Sequence, residues 1–352
     1  MGVLRVGLVR FGLCLAMTGM ALGPACERQP AAAAGSPAKA LRVVATIPPM
    51  QGLIEPLLRG SGVKYELRSL MPPGVSEHGY EIPPDMLAAI DKADVVVMVG
   101  FALEPQVDAF LTQHPRADRR VVKLADVVAE PLPDTDEDEL APAPPTPPTP
   151  QTPSRPPAAN SPAREADHSG PHPGQTIAPS DPHAWLDPIL ARAMADSCAK
   201  TLKAAIGSDA AAAKRLDEAV AEMNRRIDGV DRDYRATISA ALRRTIVVGH
   251  DAYGYLARRY NLDVVAITGL NAGEPQPGDV KRAADAVRDK GLTTIFVEPQ
   301  LSPAAAQRLA QATGAKIATL DPLGDGDWFA LMDKNLAALK DALGQKPSDS
   351  TH

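Results

Sequence analysis

The chain has only three cysteines, Cys14, Cys26 and Cys198, and no two of them form a CxxC pair. Cysteine zinc fingers and thioredoxin-type redox chemistry are thereby excluded. No HExxH pair is present, so the most compact signature of a zinc protease is missing as well. Basic residues do not predominate: 37 Lys and Arg stand against 43 Asp and Glu, giving a net charge of −6, and no patch of nucleic-acid type is visible. Nucleic acid is therefore not an expected partner. A comfortable membrane span is also lacking, since the apolar run at residues 11–22 is too short.

That short run has another reading. Arg5 and Arg10 precede it and small residues follow, the layout of an export signal over residues 1–25. Leu22-Gly23-Pro24-Ala25-Cys26 resembles a bacterial lipobox, in which Cys26 would be lipidated and become the mature N-terminus. Leu22 stands four residues before the cysteine rather than three, and Pro24 is unusual there. Ordinary cleavage within residues 31–34 is the alternative. Residues 26–40, rich in Ala, Pro, Gly and Ser, read as a tether.

The remainder is long enough for two domains of ordinary size. Strand-like runs at 41–47, 63–70 and 94–100 alternate with helical stretches at 50–59 and 84–91, an α/β pattern with a parallel sheet. Pro56 counts against the first helix. Residues 130–180 differ in character: 134–139 are almost all acidic, and 141–157 are about half proline. Such a segment cannot bury enough apolar area to offset its ordering entropy and reads as a disordered surface insertion. It is either a spacer or a weak metal collector through its carboxylates, His168 and His172. Helix returns at 189–205. A longer one follows at 209–241, with Leu216, Val220, Met223, Ile227, Val230 and Tyr234 at three- and four-residue steps. Strands at 245–249, 262–267, 293–297 and 316–320, alternating with helices, make a second α/β lobe. The expected domains are a lobe at 41–208, a linking helix at 209–241, a lobe at 242–345 and a tail at 346–352.

Chemistry concentrates in four separated places: Glu77-His78-Gly79-Tyr80, Asp181-Pro182-His183-Ala184-Trp185-Leu186-Asp187-Pro188, Gly249-His250-Asp251-Ala252-Tyr253-Gly254-Tyr255 and Leu320-Asp321-Pro322-Leu323-Gly324. Each offers an imidazole or a carboxylate, the donors that suit a borderline divalent cation. Singly, each is equally well a hydrogen-bonded loop residue, and Asp321 equally a helix or turn cap. His114 and His352 stay in that ordinary class. His250 directly follows an apolar strand, and Asp251 beside it could fix the ring's tautomer. Every candidate follows a strand or lies in a loop, where open α/β sheets place ligands.

With these motifs in hand, the chain resembles the metal-binding receptors of bacterial ABC importers, the cluster A-I solute-binding proteins, and among them the zinc-specific branch. The resemblance covers residues 41–344 apart from the insertion, and Phe296-Val297-Glu298-Pro299-Gln300 matches a further signature of that family. It implies two α/β lobes joined by one long helix with metal in the cleft. The implied ligands are His78, His183, His250 and a carboxylate, either Asp321 or Glu77, with Asp251 and Glu298 behind them. Manganese relatives usually carry Glu where this chain has His250, so three imidazoles favour Zn2+ as the transported ligand. The implied partners are an ABC permease and its ATPase, the implied state a monomer, and the implied location the periplasm or the outer membrane face, with a possible lipid anchor at Cys26. Manganese or iron receptors and metal-binding adhesins of the same fold are the alternatives. A secreted zinc hydrolase, with Glu298 or Glu77 as base, is more distant because the implied ligands close the shell.

Overall fold

The computed structural model describes residues 39–133 and 180–344. The export signal, Cys26, His168, His172 and the tail lie outside those residues. The first sheet contains β1 (Leu41–Ala45), β2 (Tyr65–Ser69), β3 (Val95–Met98) and β4 (Arg120–Lys123) in the order β2-β1-β3-β4, all parallel. Helices α1 (Pro48–Ser61), α2 (Pro84–Lys92) and α3 (Pro105–Gln113) connect them. Each begins with proline, whose fixed φ and missing N–H suit the first helical turn. All four residues of β3 are buried, as a central parallel strand covered on both faces requires.

Helix α1 runs straight through Pro56. The proline removes one backbone donor, but Leu53, Ile54, Leu57 and Leu58 around it are fully buried, and that packing outweighs the loss. Sequence reading misses α3 and β4 entirely. β4 is the four-residue run Arg-Val-Val-Lys, too short and too flanked by charge to register as a strand, and it forms the edge of the sheet.

Helices α4 (Pro188–Ile206) and α5 (Ala210–Ser239) follow. The thirty residues of α5 span about 45 Å at 1.5 Å per residue. The second sheet, β6-β5-β7-β8, contains β5 (Thr245–His250), β6 (Asp263–Thr268), β7 (Thr294–Val297) and β8 (Lys316–Thr319), again all parallel. It is dressed by α6 (Gly254–Tyr260), α7 (Pro277–Asp289), α8 (Ala304–Thr313) and α9 (Trp328–Leu343). Both sheets thus have the same strand order, with a switch in connection direction between β1 and β3 in one and between β5 and β7 in the other.

One hydrophobic cluster runs through both lobes, and each lobe has a smaller one of its own. α5 packs against α1, α4 and α9, so the long helix is a common wall rather than a free strut. Two buried tryptophans cross between the halves. Trp185 Nε1 donates to Pro322 O at 2.7 Å, and Trp328 Nε1 donates to Trp185 O at 2.9 Å. Tyr234 OH on α5 donates to Met332 O on α9 at 2.8 Å. Asp187 caps α4 by accepting from Ile189 N, and its buried carboxylate pairs with Arg259 of α6 at 2.7 Å. The insertion is rooted at one point: Pro133 and Ser180 form an antiparallel bridge, and Asp181 N donates to Leu132 O at 2.9 Å.

Two predictions follow from this packing. Arg259→Ala leaves the buried Asp187 carboxylate without its cation and should cost about 3 kcal/mol in urea unfolding. Lys281→Ala, which breaks an exposed pair with Asp285 on one face of α7, should leave the urea midpoint nearly unchanged. Equal losses would mean that the Asp187 pair does not tie the lobes. Second, joining Pro133 to Ser180 through a short Gly-Ser turn in place of residues 134–179 should leave the melting temperature within a few degrees of the full chain, because long surface loops cost little to remove. A collapse in melting temperature would place part of the core in that segment.

Candidate metal centre

His250 is the last residue of β5, and Glu298 follows the end of β7 directly. These are the two central strands at the switch point of the second sheet, where diverging connections open a crevice beyond the strand ends. Glu77 and His78 lie in the loop between β2 and α2, and His183 lies immediately before a short 3-10 turn at Ala184–Leu186. The first lobe therefore brings a two-residue loop element, the segment after the insertion brings one imidazole, and the second lobe brings another.

Four side chains converge. One donor atom from each of Glu77, His78, His183 and His250 lies within 4.8 Å of the others. His183 Nε2 is 3.2 Å from Glu77 Oε1 and 3.4 Å from His250 Nε2, and His78 Nε2 is 3.8 Å from Glu77 Oε1. A tetrahedral zinc ion with bonds of 2.0–2.1 Å separates its ligand atoms by about 3.3 Å. Two of these spacings lie close to the edges of such a tetrahedron, the third is somewhat longer, and no donor pair is more than 4.8 Å apart. His78 Nε2 is buried and has no hydrogen-bond partner, an uncommon state unless a ligand is meant to satisfy it.

The rings are aimed from behind. Asp181 Oδ1 accepts from His183 Nδ1 at 2.8 Å and from the His183 backbone N–H at 2.8 Å. Glu298 Oε2 accepts from His250 Nδ1 at 2.7 Å. A carboxylate on Nδ1 fixes the proton there and turns the Nε2 lone pair inward.

Burial and local hydrogen bonds compete for the charges. It opposes a proton on His183, but the hydrogen bonds to Asp181 and Glu77 outweigh it and hold that imidazole well above its usual value. Burial would raise Glu77; the His183 hydrogen bond and charge overcome it and draw the carboxyl down to about 2. His78 is pushed by burial down to about 4 against the pull of Glu77. The metal-free centre thus favours a second proton on His183, at the Nε2 that faces the ionised Glu77, beside a neutral His78.

The structure does not bring Asp321 into this group. Its Oδ1 accepts from Gln300 Nε2 at 2.8 Å, Leu323 N at 2.9 Å and Gly324 N at 3.0 Å, which makes it the cap of the turn after β8. Glu298, one of the two carboxylates expected behind the ligands, is the one on His250 Nδ1. Asp181, two residues before His183, was visible in the sequence only as a rigid flank; its spacing from His183 was the one available signal of its role.

Comparisons with known proteins place the chain in a family and a fold. The model of the family described as zinc-uptake complex component A, periplasmic, matches residues 43–342. The zinc-binding protein AdcA of Streptococcus pyogenes is 29% identical over 170 residues, 46% of this chain and 32% of that protein. The high-affinity zinc uptake system protein ZnuA of Brucella suis is 31% identical over 172 residues, 47% of this chain and 51% of that one. These matches thus span only about a third to a half of the curated relatives' length. A ZnuA crystal structure superposes with a TM-score of 0.69 at 22% identity, over 87% of this chain and all of that one. The laminin-binding protein of Streptococcus agalactiae, described as a bifunctional adhesin with metal-transporting activity, superposes at 0.66 with 23% identity, over 87% of this chain and all of that one. Both structures share the two-lobe fold.

The protonation pattern yields a pH prediction. A raised His183 pKa makes its charge pair fully stabilising to the metal-free fold below about pH 6.5, and that contribution fades as pH climbs toward the raised value. Metal binding runs the other way, because the ion must displace the His183 proton and, at lower pH, those of its neighbours. Calorimetric zinc titration at pH 8 in two buffers of different ionisation enthalpy should report release of about one proton per ion. Asp181→Asn should reduce that number. No proton release by the unaltered protein would contradict the charge assignment.

Proposed function

The chain belongs to the periplasmic zinc-uptake complex component A family, and on that premise we propose that it is an extracytoplasmic receptor that binds Zn2+ and delivers it to an ABC-type permease and its ATPase. The observation that carries this reading is the set of three imidazoles and one carboxylate whose donor atoms lie within 4.8 Å of one another, a donor number and type that suit four-coordinate zinc. Closed four-ligand sets hold zinc; catalytic zinc sites keep a position open for water. Nothing in the donor set supplies that open position, so binding and release fit the site better than hydrolysis.

Glu77 is the proposed carboxylate ligand, with His78, His183 and His250. Glu298 and Asp181 serve as the carboxylates that orient two of the rings. Asp321 serves the turn at Leu320–Gly324 and not the ion. Zinc over manganese follows from nitrogen: three imidazoles suit zinc, whereas a harder ion favours oxygen. The proposed organisation is a lobe at 41–208, a linking helix at 209–241 and a lobe at 242–345, exported, monomeric, and held to the membrane through Cys26 if the lipobox is used. A collector role for His168 and His172 belongs to the insertion and is independent of the tight site.

Competition between Zn2+ and Mn2+ for the purified mature chain tests the metal assignment. Zinc should win by at least a hundredfold, and His250→Glu should narrow the gap by exchanging nitrogen for oxygen. Equal affinities in the unaltered protein would overturn the zinc reading. Zinc should also raise the melting temperature by mass action, and His183→Ala should abolish most of that rise. An unchanged response in the variant would move the site elsewhere.

A further inference from the structure

Access to the four donors is one-sided. The side chains of His183, His250 and Glu77 are 0%, 1% and 2% exposed, while the His78 ring is 13% exposed along its edge, with its Nε2 turned inward. The open edge faces a cavity of about 790 Å3 that includes Glu77 and His78 in its wall. A zinc ion with six waters needs roughly 180 Å3 at about 30 Å3 per water. The cavity is several times larger than the bare cargo requires, and it falls in the size range of pockets that enclose small organic molecules.

Its wall has a definite chemistry. Ile47, Leu70, Met71, Ile82, Phe101 and Leu103 supply an apolar surface. Gln106 and Asn271 add amides, the latter from the loop after β6 in the second lobe. Among the lining residues there are carboxylates but no lysine or arginine. An anionic guest would find no cationic partner there, and a neutral or cationic one meets no such conflict.

The wall is also strained at one place. Phe101 and Ala102 both have positive φ, 52° and 61°, directly after Gly100 at 82°. Consecutive left-handed residues other than glycine are uncommon and persist only where their surroundings fix them. Glu104 does so here: its buried carboxylate accepts from Val99 N and Gly100 N at 2.9 Å each and from Thr46 Oγ1 at 2.6 Å. The turn holds the Phe101 side chain as part of the cavity wall.

We propose that this cavity is a second binding site, for a small neutral or cationic nitrogen-donor molecule with an apolar body that arrives as a complex with zinc. The inference rests on the zinc-receptor reading and deepens it: the cargo would be a zinc chelate rather than only the aqueous ion. On entry, imidazole and carboxylate ligands of the protein replace the guest's donors at the metal one at a time. His78 at the open edge engages first, and the displaced guest remains against the apolar wall.

Equilibrium dialysis of the full mature chain tests this, with zinc and radiolabelled histidyl-leucinamide as the probe and labelled citrate as the anionic counterpart. The expected result is co-retention of about one histidyl-leucinamide per zinc and no retention of citrate. Leu103→Arg, which places a cation in the wall away from the donors, should reduce probe retention at least tenfold while zinc retention stays within twofold. Phe101→Gly, which relaxes the left-handed turn and removes the ring, should weaken the probe in the same selective way should the first variant not fold. Zinc retained with neither probe overturns the proposal and leaves the receptor reading intact. Citrate retained in preference to the amide overturns the assigned ligand class. Failure to retain zinc at all overturns both.

Discussion

The structure depends on convergence of lone pairs in a dry place. Three imidazole nitrogens and a carboxylate oxygen are gathered within 4.8 Å, and three of the four side chains are almost wholly sealed from solvent. Such an arrangement is unfavourable by itself, since it desolvates charge and opposes like partial charges. It persists because a proton on His183 offsets part of the conflict and because Asp181 and Glu298 hold their rings from behind. A divalent cation relieves the conflict far more fully than a proton does. The same features that make the centre costly without metal are the ones that make metal binding strong.

Holding that geometry requires the lobes to keep their relation. Crossed tryptophan hydrogen bonds, the Asp187–Arg259 pair and the packing of α5 on both halves do this. A centre built from both lobes could be opened by hinge rotation, but the shared core opposes it. Exchange of cargo is then left to the edge at His78, in the loop between β2 and α2. Gly79 in that loop has a φ of 71° and open space around its Cα, so the chain can turn sharply there beside the ligand.

Much of this was legible in the sequence, and the reasons are local. Parallel strands such as Val95–Met98 are short apolar runs with an immediate stop, and the heptad-like steps of α5 mark one buried face. The three histidines stood out because each lies beside a rigid or strand-ending motif. What escaped was decided by tertiary packing. β4 is four residues whose strand character exists only beside β3. That Glu77 and not Asp321 lies among the three histidines depends on how the turn after β8 uses its own carboxylate, which spacing along the chain cannot reveal. Glu298, just past the end of the adjacent strand β7, reaches the His250 ring across the sheet, a contact that depends on strand order.

The central claim is a prebuilt, closed site of three imidazoles and Glu77. X-ray absorption at the zinc edge of the zinc-loaded protein tests it most directly, compared with Glu77→Gln and Asp321→Asn. The account predicts four-coordinate zinc with three imidazole nitrogens and one oxygen at about 2.0–2.1 Å. That signature should be altered by Glu77→Gln and unchanged by Asp321→Asn. A six-coordinate, oxygen-rich shell, or one altered by Asp321→Asn and not by Glu77→Gln, would contradict it.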